Sequence, residues 1–194
     1  MKQMAIKPIL FNTEMVRTIL DGRKTCTRRI IKPQLTAHYG TQCVKPPYQP
    51  GDVLYVRETW GIYTESWLDA DYFMYKADYP ANAATYTYQD GTICDLPRWH
   101  PSIHMPKEAA RIWLKVTNVR VERLNEITDK GAEREGAQPD YPFDYDVDKW
   151  PNLEHFKKIW NSTIKKSDLD RYGWDANPYV FVIEFVKIDK PEVV

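Results

Sequence analysis

Long apolar runs are missing from this 194-residue chain; the longest, Tyr179 to Ile183, is five residues where a membrane-crossing helix needs about 20. Charge of one sign is missing too. Lys plus Arg and Asp plus Glu are 27 each, so the net charge is zero, which excludes a polybasic or a disordered acidic chain. Cysteine is scarce: Cys26, Cys43 and Cys94 are odd in number and far apart, so neither a disulfide framework nor a CxxC pair is expected. The first residues show no apolar stretch of export-signal length, because Pro8 and then Asn12, Thr13 and Glu14 interrupt them. A reducing, cytoplasmic setting without a membrane is the expectation. Walker, GxGxxG, GxSxG and HExxH motifs are also lacking. His100 and His104 have helical spacing, but Pro101 and Pro106 argue against a helix there, and no metal or cofactor is expected.

What is abundant is aromatic: Phe, Tyr and Trp make up 13% of the chain, either as core or as a surface that stacks flat ligands. Hydrophobic periodicity predicts a strand at Ala5 to Phe11 with Pro8 marking an edge. A helix follows, capped by Asn12 or Thr13 and ended by Gly22, with Met15, Val16, Ile19 and Leu20 on one face. Further strands are predicted at Thr25 to Ile31, Val53 to Glu58, Ala109 to Leu124 with a break at Thr117-Asn118, and Tyr179 to Lys187. Short helices are expected after Thr128 and from Pro151. Between Trp60 and His100 lie ten aromatics, two basic and six acidic residues. This reads as an insertion over about 59–108 in which Asp71 to Lys76 and Thr85 to Gln89 form a hairpin. Its charge of −4 opposes contact with a phosphate backbone, so its rings are expected to cover the core. Strands scattered among short helices predict an α+β, β-rich class, a small mixed β-barrel with short flanking helices, over one domain, 1–194.

Charge is unevenly distributed. Arg17, Arg23, Lys24, Arg28, Arg29 and Lys32 meet only Asp21, a local charge of +5, while Asn125 to Asp148 holds eight acids against two bases. The two stretches either neutralise each other or leave the first free for an anion or RNA.

Within the basic run, Gly22-Arg23-Lys24-Thr25-Cys26-Thr27-Arg28-Arg29 resembles the G-[RK]-K-T-x-T-x-R signature of the ASCH superfamily, small β-barrels related to the RNA-binding PUA domain. The resemblance continues through the Gly51-Asp52 turn and its strand, the helix with Ala132-Glu133-Arg134-Glu135-Gly136, and the last strand, covering roughly residues 5–58, 109–136 and 179–188. Val56 to Trp60 and Gly173 to Pro178 look like longer ASCH proteins of phages and prophages. A compact bacterial member is an amidohydrolase that deacetylates N(4)-acetylcytidine with a Lys, a Thr and a Glu. By motif alignment these fall on Lys24, Thr27 and Glu135. The resemblance implies a modified cytosine nucleoside or RNA as partner, and hydrolysis, ribonuclease action or plain RNA binding as activity. Arg23, Thr25, Arg28 and Arg29, with Arg57 and Glu58 at a strand end, are the expected substrate or nucleic-acid contacts.

The chemistry asked of these residues is specific. A threonine hydroxyl needs a nearby base, and a lysine acts as base only if like charges lower its ammonium pKa. A carboxylate close to Lys24 works in the opposite direction. Strand alternation puts Thr25 and Thr27 on one face and Cys26 and Arg28 on the other, so Thr25 is an alternative hydroxyl. Tyr63, Trp67 or Trp99 are candidates to stack on a pyrimidine if the insertion covers the barrel mouth.

Overall fold

In a computed structural model that describes residues 5–34, 44–65, 70–87, 91, 93–138 and 151–192, the elements form where their end signals stand. Strand β1 is Ile6–Leu10 and helix α1 is Thr13–Leu20; the Asn12 side chain accepts from the Met15 N–H, and Gly22 closes the helix with φ +75°. Strands β2 (Cys26–Ile30) and β3 (Val53–Arg57) follow. The insertion holds β4 (Trp60–Glu65), β5 (Ala70–Tyr75), β6 (Thr85–Thr87) and β7 (Ile93–Asp95). Then come β8 (Trp113–Arg123), α2 (Asp129–Arg134), α3 (Pro151–Thr163), α4 (Leu169–Tyr172) and β9 (Tyr179–Ile188).

Five strands make one sheet in the order β1-β3-β8-β9-β2, parallel between β1 and β3 and antiparallel elsewhere. The polar pair Thr117-Asn118 breaks the alternation of β8, and there the register against β9 shifts by a bulge between Val116 and Asn118. Strand β9 is covered on both faces. Phe181, Ile183 and Phe185 join Phe11, Val16 and Ile19 in one core, while Val180 and Val182 meet Phe156 and Trp160 in another. This double burial explains why the chain's longest apolar run lies here.

The sheet is not closed as a barrel, which corrects the expected closure. The outer side of β1 is already occupied by side chains: the Tyr48 hydroxyl donates to the Pro8 carbonyl at 2.8 Å and Arg29 Nη2 to the Leu10 carbonyl at 2.8 Å. Pro8 itself has no N–H for a ladder. The edges β1 and β2 therefore approach through Arg29, whose guanidinium also lies 5.3 Å from the Phe11 ring centre.

The insertion also differs from expectation. Asp71 to Lys76 and Thr85 to Gln89 do not pair with each other; β4 pairs with β5 and β6 with β7, two separate ribbons. Of the insertion's rings, Trp60 enters a core with Met105 and Trp113, but Tyr72 and Phe73 stay exposed. Two arginines tie the insertion down. Arg111 forks onto Glu58 at 2.9 and 3.0 Å and reaches Asp78 at 2.8 Å, while Arg17 of α1 donates to the carbonyls of Ala77 and Tyr79.

Gly136, at φ +81°, ends α2 directly against α1: an added Cβ stands 2.6 Å from Thr18 Oγ1. Gly136→Ala is expected to cost about 1–2 kcal/mol from the left-handed backbone alone, and more from the clash. Urea denaturation checks this. Adding Thr18→Ala removes the Oγ1 and Cγ2 contacts but keeps the Cβ at 2.8 Å, so it should recover only part of the clash portion and leave the backbone portion.

Candidate functional site

The turn after α1 folds back on itself, with the Lys24 N–H donating to the Thr18 carbonyl at 2.9 Å and the Thr25 N–H to the Arg134 carbonyl at 2.9 Å. Thus the entrance to β2 is bonded to the last turns of both α1 and α2. The Thr128 side chain caps the start of α2 through the Gly131 N–H, and Glu135 caps its end. A carboxylate is unfavourable at a helix C-terminus unless cations offset it. Here two do. Lys24 Nζ donates at 2.7 Å both to Glu135 Oε2 and to the Glu135 carbonyl, and Arg28 Nη1 reaches Glu135 Oε1 at 3.1 Å. The three side chains are 0%, 4% and 6% exposed for Lys24, Arg28 and Glu135, so this is a buried triad.

From the triad an ion-pair chain runs outward. Arg28 Nη2 pairs with Glu122 at 3.2 Å, Glu122 with Arg120, Arg120 with Glu184 at 2.7 Å and Glu184 with Arg134 at 3.2 Å. Burial works to raise the Glu184 carboxyl, but hydrogen bonds from Arg120 and Arg134 hold it below its ordinary range. Arg28 Nε is buried without a partner, which makes the pairing of its other nitrogens more costly to lose.

Register settles which faces the β2 side chains share. Thr27 lies opposite Ile183 and Arg29 opposite Phe181, on the side of the larger core, whereas Cys26 and Arg28 lie opposite Glu184 and Val182. Burial, then the Glu135 charge, pushes the Cys26 thiol from 9.0 up to about 11, so it is a protonated, weak nucleophile at neutral pH. Burial lowers the Arg29 guanidinium from its ordinary value.

A cavity of about 700 Å³ opens between α1, β2, the stretch 135–138 and α3. Thr27, Arg28, Arg29 and Glu135 line it, and Arg23 stands on its wall, bonded to Asp21 at 2.9 Å and Gln138 at 3.5 Å. Lys24 lies behind Glu135. Thr25 is not on the wall; its hydroxyl accepts from Arg134 Nε at 3.3 Å, leaving Thr27 as the β2 hydroxyl that lines the cavity, with Thr18, Ser162 and Thr163 contributed by the helices. Arg57 and Glu58 are elsewhere: Arg57 Nε donates to the Met105 carbonyl at 2.8 Å, and Glu58, 1% exposed and raised by burial against the Arg111 hydrogen bonds, is held by that arginine. They do not reach the mouth because Met105, near the end of the insertion, and Arg111, just after it, take them.

Of the rings suggested for stacking, Tyr63 and Trp99 are likewise not on the wall. Tyr63 Oη contacts Cys94 Sγ at 3.5 Å, Trp99 packs on Tyr79 with centroids 6.0 Å apart, and Trp67 lies outside the described residues. The aromatic wall comes instead from α3, through His155, Phe156 and Trp160, with Gln138 beside it. Leu153, Phe156, Ile159 and Trp160 signalled an apolar helix face; what that face borders depends on the path of the chain before it.

The basic run is largely spent internally. Arg17, Arg23, Lys24 and Arg28 each meet a carboxylate, and Lys32 lies 4.6 Å from the Tyr172 ring centre.

Two solved structures are similar to this chain. One is an ASCH domain from Lactobacillus crispatus JV V101, at 13% identity and TM-score 0.44, covering 96% of this chain and 81% of its own. The other is a protein of the DUF984 family from Enterococcus faecalis V583, at 10% identity and TM-score 0.45, covering 100% and 86%. No family model matches the chain, and no curated protein does.

Removing Glu135 strands two buried cations. Glu135→Leu is expected to lose about 3–5 kcal/mol of stability, and Lys24→Met less, since Arg28 still neutralises Glu135. The urea midpoints of the two variants at neutral pH check the order.

Proposed function

We propose that the cavity hydrolyses the amide of N(4)-acetylcytidine or a related acylated cytosine nucleoside. The observation that supports this most is that Thr27 and Glu135 line one cavity with room for a flat ligand, while Lys24 touches Glu135 from behind at 2.7 Å. The ASCH-like signature, which carries the same residues, adds to it.

In this reading the Thr27 oxygen attacks the acyl carbon and forms an ester. Its proton goes to Lys24, which has passed its own to Glu135. Glu135 then protonates the ring amine as the carbon–nitrogen bond breaks, and the free cytidine leaves. Water repeats the attack on the ester, releasing the acid and restoring the Thr27 hydroxyl. Gln138 and the α3 rings have the chemistry to hold the pyrimidine, by hydrogen bonding and by stacking. RNA-backbone recognition draws less support, because Arg17, Arg23, Lys24 and Arg28 are engaged with carboxylates.

Mixing the protein with N(4)-acetylcytidine should abolish the substrate's ultraviolet band, and Thr27→Ala should slow this at least about a thousandfold while cytidine still binds. A wild type that leaves the band intact, or a variant as fast as the wild type, overturns the reading. RNA offered in parallel reports the alternatives, by shortening or by salt-sensitive binding.

A further inference from the structure

Among the described residues the large apolar side chains left exposed are unevenly placed: Ile62, Tyr72, Phe73, Ile93 and Ile103 lie on the insertion, and only Leu10 and Val186 elsewhere. On the β4–β5 ribbon they form a pattern. Trp60, Ile62 and Thr64 share one face of β4, and the register sets Tyr75, Phe73 and Asp71 opposite them. The face therefore begins at Trp60, 8% exposed and part of a core, whose ring lies 5.8 Å from that of Phe73. It continues through Ile62 and Phe73, 41% and 43% exposed, and ends in Asp71, which accepts from the Thr64 hydroxyl at 2.7 Å. The core's apolar surface thus runs out along the ribbon into solvent.

The ribbon's two edges are unlike. At β4, Trp60 exchanges backbone bonds with His100, and a Cβ on Gly61 would stand 2.7 Å from Pro97, so residues 97–100 occupy that side. No strand among the described residues pairs with the outer edge of β5. A two-stranded ribbon is marginal in water, and an open edge beside exposed apolar side chains is a template for a third strand. Charge says what kind. Residues 60–75 contain Glu65, Asp69 and Asp71 and no Lys, Arg or His, which repels a second copy of the same ribbon and any phosphate backbone and attracts cations.

We propose that the outer edge of β5 is a docking site for an extended segment of a partner protein whose side chains on one face are apolar and then, two residues further on, basic. It adds as a third strand, its apolar side chain beside Phe73 and its cation, two positions along on the same face, beside Asp71. This surface is separate from the Thr27 cavity and independent of the reading given to it.

A fluorescent peptide with the repeat Val-Thr-Lys-Thr, which sets Val and Lys on one face, is the probe, with the same peptide carrying Glu for Lys as control. Anisotropy should show saturable binding of the basic peptide alone, weakened at least tenfold by Asp71→Lys and by Phe73→Ser and reduced by added salt. Hydrogen exchange on the complex should show new protection of amides in β5. Asp71 is at the ribbon's end, so that variant reports even if Phe73→Ser unfolds the ribbon. Absence of saturable binding, equal binding of both peptides, an unaffected Asp71→Lys, or binding without protection in β5 overturns the proposal.

Discussion

The Glu135 carboxylate between Lys24 and Arg28 is the interaction on which the rest of the site depends. It is an anion at the wrong end of a helix, buried, and among the described residues it is compensated by a pair of cations more than a hundred residues earlier in the chain, contacted at 2.7 and 3.1 Å. That compensation fixes the position of α2 against the start of β2. Gly136 can then turn in its left-handed conformation against Thr18 of α1, and the space left between α1, β2 and α3 is the cavity. The carboxylate that neutralises the buried cations also lines the cavity.

How much of this could be read in advance varies by element. Local signals were sufficient where the cause is local. Asn12 and Gly22 bound α1, Thr128 and Gly136 bound α2, and the polar pair Thr117-Asn118 marks the bulge in β8. Pairing over distance was not readable. Nothing near Glu58 announces that its partner is Arg111, 53 residues later, and nothing in Asp71 to Lys76 says that it pairs backward to β4 rather than forward to β6. The same holds for closure of the sheet, which turns on Tyr48 and Arg29 reaching the edge of β1.

The site lies between these cases. Thr27 was separable from Cys26 by strand alternation, but its link with Lys24 and Glu135 rested on the ASCH-like signature. The wall supplied by α3 was invisible, since apolar spacing identifies a helix's buried face without saying what it borders. The basic run had two readings, and the ion pairs distinguish them physically: a cation whose carboxylate lies within 3.2 Å is poorly available to a phosphate. The described residues of the insertion keep away from the cavity and are tied to it through Arg17 of α1, which lines the cavity and holds the Ala77 and Tyr79 carbonyls.

The most direct measurement is a crystal structure of the Thr27→Ala protein soaked with N(4)-acetylcytidine. The account requires the base in the cavity beside Glu135, with Glu135 still bridging Lys24 and Arg28, and the acyl carbon within about 3.5 Å of where the hydroxyl stood. A nucleoside bound elsewhere, or Glu135 turned away from both cations, contradicts it.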